Sequence, residues 1–237
     1  MKNPSLGFLF SCLLFLSFTT FPTLCSADPS AQSQLRQQYT FAFTDPSDIN
    51  QHIPTLRDLA KQCSSVVEIG LRSMVSTWGI LQGLAESPFS NRSYLGIDIA
   101  IPPLDRLNLA NNLAEANGIS FQFGQADDRT IMIDPTEMLF IDSLHTYCHL
   151  TYELETFSSQ VSKYIAMHDT SEPWGEADDT EYHGDYSEYP DEYDRTRRGL
   201  WPAVQDFLQR HPEWMLYRRD CNNHGFTILK RIASEIN

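Results

Sequence analysis

The stretch Ser65-Val66-Val67-Glu68-Ile69-Gly70-Leu71-Arg72-Ser73-Met74-Val75-Ser76-Thr77-Trp78 decides how this chain folds. It opens with an apolar strand, turns at Glu68-Ile69-Gly70, and resumes with Ser76-Thr77 at the head of an amphipathic helix. A second strand, residues 94–97, follows and ends on an acid, Asp98. Strand, glycine turn, helix and a strand closed by a carboxylate form the layout of a βαβ unit that binds a nucleotide. The glycine lets the backbone approach the ligand, the helix start faces it, and the terminal acid accepts from two ribose hydroxyls. Gly70 is alone in its turn, so the pyrophosphate pattern G-x-G-x-x-G is missing. A nucleoside ligand without phosphates therefore fits this turn better than a dinucleotide, and S-adenosylmethionine fits best.

Outward from that unit the alternation continues. Residues 48–62 carry Ile49, Ile53, Leu56, Leu59 and Ala60 at helical spacing behind a Ser47 cap. The helix after the first strand runs over 76–85. Residues 104–117 read as a helix closed by Gly118, 119–123 as a third strand, and 138–141 as a fourth ending on Asp142. A helix over 147–163 places Leu150, Leu154, Phe157 and Val161 on one face, and a fifth strand, 164–167, ends at His168-Asp169-Thr170. Residues 200–209 read as a helix, and 214–219 pair with 226–231 across Asn222-Asn223-His224-Gly225. The expected fold is α/β, a Rossmann-like doubly wound, mostly parallel sheet with a C-terminal antiparallel hairpin. Such sheets bind ligands beyond the carboxyl ends of their strands. That rule gathers Gly70, Asp98, Asp127 or Asp128, Asp142 and His168-Asp169 into one spatial set.

Composition bounds the partners. The 237 residues suffice for one full α/β core, and a formal net charge of −14 argues against nucleic acid or an anionic membrane. Ten of the acids lie between Glu172 and Asp194, interleaved with Tyr182, Tyr186, Tyr189 and Tyr193. This insertion, 172–195, reads as a solvated, partly disordered loop or as a lid over the substrate pocket. Residues 1–27 read as a secretory signal: Lys2, an apolar stretch from Leu6 to Phe21, and small residues before Asp28. An uncleaved membrane anchor is the other reading, and residues 28–45 read as a polar tether or a first helix. The remaining domain spans 46–237. Cleavage would leave Cys63, Cys148 and Cys221, too few and too scattered for a disulfide framework. Asn91-Arg92-Ser93 forms a glycosylation sequon.

With these residues assembled, the chain resembles class I S-adenosylmethionine-dependent methyltransferases. It is most similar to a bacterial branch with a Glu-x-Gly-x-Arg turn (Glu68 to Arg72), the run Ile141-Asp142-Ser143-Leu144-His145-Thr146-Tyr147, and His168-Asp169-Thr170. Asp48 to Pro54 and Asn223 to Thr227 are similar as well, so the resemblance covers residues 45–232. It implies S-adenosylmethionine as cofactor, contacted by Glu68, Gly70, Arg72, Ser76, Thr77, Asp98, and Asp127 or Asp128. One position departs from the pattern: the second glycine of the turn is Met74, where room for the methionine moiety is expected.

Asp142, His168 and Asp169 are hard or borderline ligands at adjacent strand ends, suited to Mg2+ or another divalent cation. Such a cation would lower the pKa of a substrate hydroxyl and aim its oxygen at the cofactor's methyl group. Similar metal-dependent O-methyltransferases carry two acids after the fifth strand; His168 replaces the first. Asp142 and His145 are the catalytic candidates, with His145 as general base, and His52 is expected to cover the site. The implied function is O-methylation of a small molecule or glycan. An exported, non-catalytic binding module on the same fold is the alternative, and a nucleotide-dependent oxidoreductase is disfavoured by the missing glycines.

Overall fold

The protein, described here by a computed structural model, is resolved in structure over residues 29–179 and 186–232. Its seven strands are β1 (Ser65–Ile69), β2 (Arg92–Asp98), β3 (Ile119–Gln125), β4 (Thr136–Ile141), β5 (Val161–His168), β6 (Trp214–Asp220) and β7 (Phe226–Arg231). They form one sheet in the order β3-β2-β1-β4-β5-β7-β6. β1 to β5 pair in parallel, while β7 lies antiparallel to both β5 and β6. The expected Rossmann-like sheet with its terminal hairpin is the observed one. The helices are α1 (Pro29–Thr44), α2 (Ile53–Ala60), α3 (Val75–Glu86), α4 (Leu104–Ala116), α5 (Tyr147–Phe157) and α6 (Leu200–Arg210).

The period-two alternation of buried strands divides the core into two layers. Val66, Met138 and Phe140 pack with α1 to α4, whereas Val67, Ile69, Leu139 and Ile141 pack with α5 and α6. Helix α3 lies very close to α2 because Gly83 meets it: a Cβ there would stand 2.3 Å from the Arg57 carbonyl oxygen.

One alternative is decided and three expectations change. Residues 29–44 form the first helix, α1, in place of a tether, and Ala31, Leu35 and Ala42 on one side of it are buried in the core. Ser47 does not cap α2, which is entered through a 3-10 turn at Asn50–His52. Helix α5 stops at Phe157. Val161 imitates the next helical repeat, but its β-branched side chain serves β5, where it pairs with Thr136. The acidic insertion is a folded strap over residues 172–179 and 186–199, not merely a solvated loop. Asp178, itself buried, accepts the amide N–H of Tyr147 and of Gly199 (2.8 Å each) and the Tyr186 hydroxyl (2.7 Å). One carboxylate thereby ties the strap to the first turns of α5 and α6. Residues 1–27, read as a signal, lie outside the described residues; among the described ones no helix is long and apolar enough to cross a membrane.

Candidate functional site

The strand order sets the loops after β3, β2, β1, β4 and β5 side by side along one edge of the sheet. Between them opens a cavity of about 550 Å³, within the usual range for small-molecule sites. Gly70, Arg72, Asp98, Asp128, Asp142 and His145 all line it. Gly70 has φ +86°, and a Cβ there would lie 2.0 Å from the Asp142 carbonyl oxygen, so only glycine lets the β1 turn pass under the β4 loop. The Leu71 and Arg72 amides donate to Asp98 Oδ2 at 2.7 and 2.9 Å, and the Ala100 amide to Oδ1 at 2.8 Å. Three backbone donors fix this carboxylate on the cavity wall and leave acceptor capacity for vicinal hydroxyls.

Arg72 lies at the cavity edge and pairs with Asp48. Glu68, Ser76 and Thr77 do not line the cavity. Strand alternation puts Glu68 on the face opposite Ile69, fully buried under α3. There its carboxylate accepts from Ser76, from Thr77 (2.8 Å) and from the Tyr94 hydroxyl. The trio braces the Gly70 turn from behind, outside the cavity lining. Burial pushes the Glu68 carboxyl up to about 7 against these hydrogen bonds. Met74 takes φ +62° at the cap of α3, the conformation a glycine would adopt freely, yet its side chain is fully buried in the α3-side core. It does not narrow the cavity.

Sequence left Asp127 and Asp128 equivalent; geometry separates them. Arg129 grips Asp127 with two side-chain bonds, Nη2 to Oδ2 at 2.7 Å and Nε to Oδ1 at 3.0 Å, which holds that carboxyl down at about 2. Arg129 also reaches Glu188 of the strap. Asp128 is buried and takes His149 Nε2 at 2.9 Å. His149 Nδ1 in turn meets the Tyr189 hydroxyl at 2.9 Å. Glu153, fully buried, receives the Ser143 hydroxyl at 2.7 Å, and burial followed by the charge of Asp128 drives its carboxyl well upward. His149, Arg129 and Glu188 were missed in the sequence. The available signal was His149 and Glu153, polar at i, i+4 beside Leu150 and Leu154 of α5.

Asp142 and His145 line the other end of the cavity, and buried His168 and Asp169, outside its lining, converge on them. His168 Nδ1 lies 3.3 Å from Asp142 Oδ1 and 3.2 Å from Asp169 Oδ2, while its Nε2–H donates to the carbonyls of Asp48 (3.0 Å) and Asn223 (3.1 Å). His145 Nε2 stands 2.9 Å from Asp169 Oδ2, and its ring stacks on Trp174. His224 Nδ1 holds Asp169 Oδ1 at 3.1 Å, and Asp169 itself has φ +57°. Asp142 is not the cap of α5; Thr146 is. Burial would depress both imidazoles, but the two carboxylates outweigh it: His168 sits well above its usual value and His145 is raised to about 9. Burial likewise opposes the ionised acids, and the two histidines overcome it, holding Asp142 and Asp169 low. The two carboxylates thus favour the protonated imidazole at His145. His52 does not cover the cavity; it is buried against Phe226 and bonds the Asn222 carbonyl at 2.9 Å.

A divalent cation fits the residues present. Ligand atoms of Asp142, His168 and Asp169 all lie within 4.8 Å of one another. With Nε2 committed to carbonyls, His168 offers only Nδ1 inward, completing a two-carboxylate, one-imidazole donor set suited to borderline metals such as Mn2+ or Zn2+.

No protein-family model matches the chain, and no curated protein does. Solved structures do. An O-methyltransferase of Bacillus cereus in complex with SAH aligns at TM-score 0.50 and 14% identity, covering 86% of this chain and 92% of that one. A Corynebacterium glutamicum protein aligns at TM-score 0.52 and 15% identity over 89% and 93%. A cofactor-bound protein from MTB aligns at TM-score 0.52 and 17% identity over 86% and 90%. At these identities the likeness establishes a shared Rossmann-like methyltransferase fold.

Proposed function

We propose that the protein is an S-adenosylmethionine-dependent O-methyltransferase acting on a hydroxyl of a small molecule or glycan, with a divalent cation at Asp142, His168 and Asp169. The observation that carries this is the order of groups along the cavity. Asp127 and Asp128 follow β3, Asp98 ends β2 and the bare Gly70 turn follows β1. Asp142 and His145 follow β4, and His168 and Asp169 at the end of β5 stand against them. A cofactor laid in that order points its sulfonium methyl toward His145 and Asp142. Methyl transfer is an in-line displacement, so positioning and charge stabilisation supply most of the rate.

Within this arrangement His145, held through Nε2 by Asp169 and stacked on Trp174, stands beside Asp142 on the cavity wall, and His224 holds Asp169. A cation held by Asp142, His168 and Asp169 would lower the pKa of an acceptor hydroxyl. The acidic surroundings disfavour anionic acceptors. Residues 1–27, read as an export signal, direct the domain to the secretory pathway or beyond the membrane; the same segment left uncleaved would anchor it. Met74 lends no support to a non-catalytic module, because its side chain faces the core.

Calorimetric titration of residues 28–237 with S-adenosylmethionine and S-adenosylhomocysteine, with and without Mn2+, tests the proposal. Micromolar affinity is expected, lost by about a hundredfold or more in Asp98→Ala. Wild-type binding that Asp98→Ala leaves unchanged sinks the pocket assignment. Metal binding that persists in Asp169→Ala sinks the cation site.

A further inference from the structure

The acidic strap contacts the cavity at two ends. Its first part, around Trp174 and Asp179, adjoins His145: Trp174 stacks on the ring and the Asp179 amide donates to the His145 carbonyl at 2.8 Å. Its later part reaches the opposite end. Tyr189, buried to 3% exposure, sets its hydroxyl on His149 Nδ1 with the rings edge to face, and Glu188 joins Arg129.

Given the cavity's assignment to a nucleoside cofactor, we infer that His149, oriented by Tyr189, is the positioning residue that makes this site select a 6-amino purine over a 6-oxo purine. Asp127 and Asp128 both line the cavity; Arg129 grips both oxygens of Asp127, which leaves Asp128 as the acceptor assigned to the base edge. A carboxylate in a cavity wall reads an amino group only while it stays ionised and correctly turned. His149 does both: Nε2–H donates to Asp128 Oδ2, and the Tyr189 hydroxyl on Nδ1 fixes the ring so that Nε2 keeps pointing there. Burial and the charge of Asp128 raise the neighbouring Glu153 carboxyl, which favours leaving the negative charge on Asp128. A purine with a 6-amino group donates to this carboxylate. A 6-oxo purine sets a lone pair against it, leaving two buried acceptors face to face.

The test compares affinity for S-adenosylhomocysteine with that for S-inosylhomocysteine, its 6-oxo counterpart, by calorimetry on the whole domain. Wild type should prefer the former by about tenfold or more, the discrimination typical of a site built on a hydrogen bond. In His149→Ala the ratio should collapse to within about threefold, since Asp128 is no longer held. His149→Gln, whose amide nitrogen can stand in for Nε2, should restore most of the preference. Tyr189→Phe should lower it while leaving the histidine in place. A purely structural defect would weaken both ligands alike and leave the ratio intact, so an unchanged ratio in His149→Ala overturns the inference. Should that variant fail to fold, an unchanged ratio in Tyr189→Phe, or a wild-type ratio near one, overturns it equally. If wild type binds neither compound, the cofactor assignment falls as well, which separates the two failures.

Discussion

Glu68 shows how one side chain can be placed correctly in sequence and wrongly in space. The Glu-x-Gly pattern marked the turn, but the parity of β1 sent the carboxylate to the α3 face, where it is fully buried among three hydroxyl donors. Its pKa, about 7 in place of the ordinary 4.5, has a direct consequence for stability. Below pH 4.5 both folded and unfolded chains carry the proton. Between 4.5 and 7 the unfolded chain releases it while the folded protein keeps it, so stability is lost as pH rises through about 7. From pH 5.5 to 8 this one group costs about 2 kcal/mol. Glu68→Gln should therefore be about 2 kcal/mol better off relative to wild type at pH 8 than at pH 5.5. Urea denaturation at the two pH values measures that difference, and parallel curves would show that the carboxyl ionises normally. The position of Asp98, by contrast, was legible, because it ends the second strand at the sheet edge where the cavity opens. His149 was not read, because its one local sign, the i, i+4 pairing with Glu153 beside Leu150 and Leu154, does not say which cavity the pair faces.

The strap is the element that sequence described least well. Ten acids in a short stretch suggest solvent, yet the decisive residue, Asp178, is buried. Asp178 accepts two helix-start amides and a tyrosine hydroxyl, contacts spanning residues 147 to 199 that no local pattern encodes. Removing a buried carboxylate with three donors leaves all of them unpaired, which costs about 2–4 kcal/mol. Asp178→Ala should lower stability by that amount, and hydrogen exchange should speed up over residues 186–199 and the first turn of α5. Protection unchanged in both segments would mean that the strap is held elsewhere. The same logic covers α5 itself, whose true end at Phe157 was hidden because Val161 continues the helical repeat while belonging to β5.

For the whole molecule, the kind of sheet, mostly parallel with a terminal antiparallel hairpin, was readable because strand–helix alternation has few right-handed solutions. All of the ligand-edge residues then fell on one side of it. What composition concealed was the second layer of support: α1, mostly Gln, Ser and Thr, still completes the α3-side core through Ala31, Leu35 and Ala42. It also brings Tyr39 beneath the Arg57 guanidinium, 5.6 Å from the ring centroid. This helix lies on the face of the sheet opposite α5, away from the cavity lining. Stability and ligand affinity should therefore separate when it is removed. A chain beginning at residue 45 exposes the groove over α3 and loses about 2–3 kcal/mol after the ordering entropy of the helix is returned. For a domain of this size that corresponds to a Tm lower by about 5–10 °C. Affinity for S-adenosylhomocysteine, measured well below the transition, should stay within about threefold of the longer chain, because no ribose or base contact is touched. A Tm that does not move would mean that α1 packs without stabilising. An affinity that collapses alongside an intact fold would place α1 in the ligand site, against the two-layer division of the core.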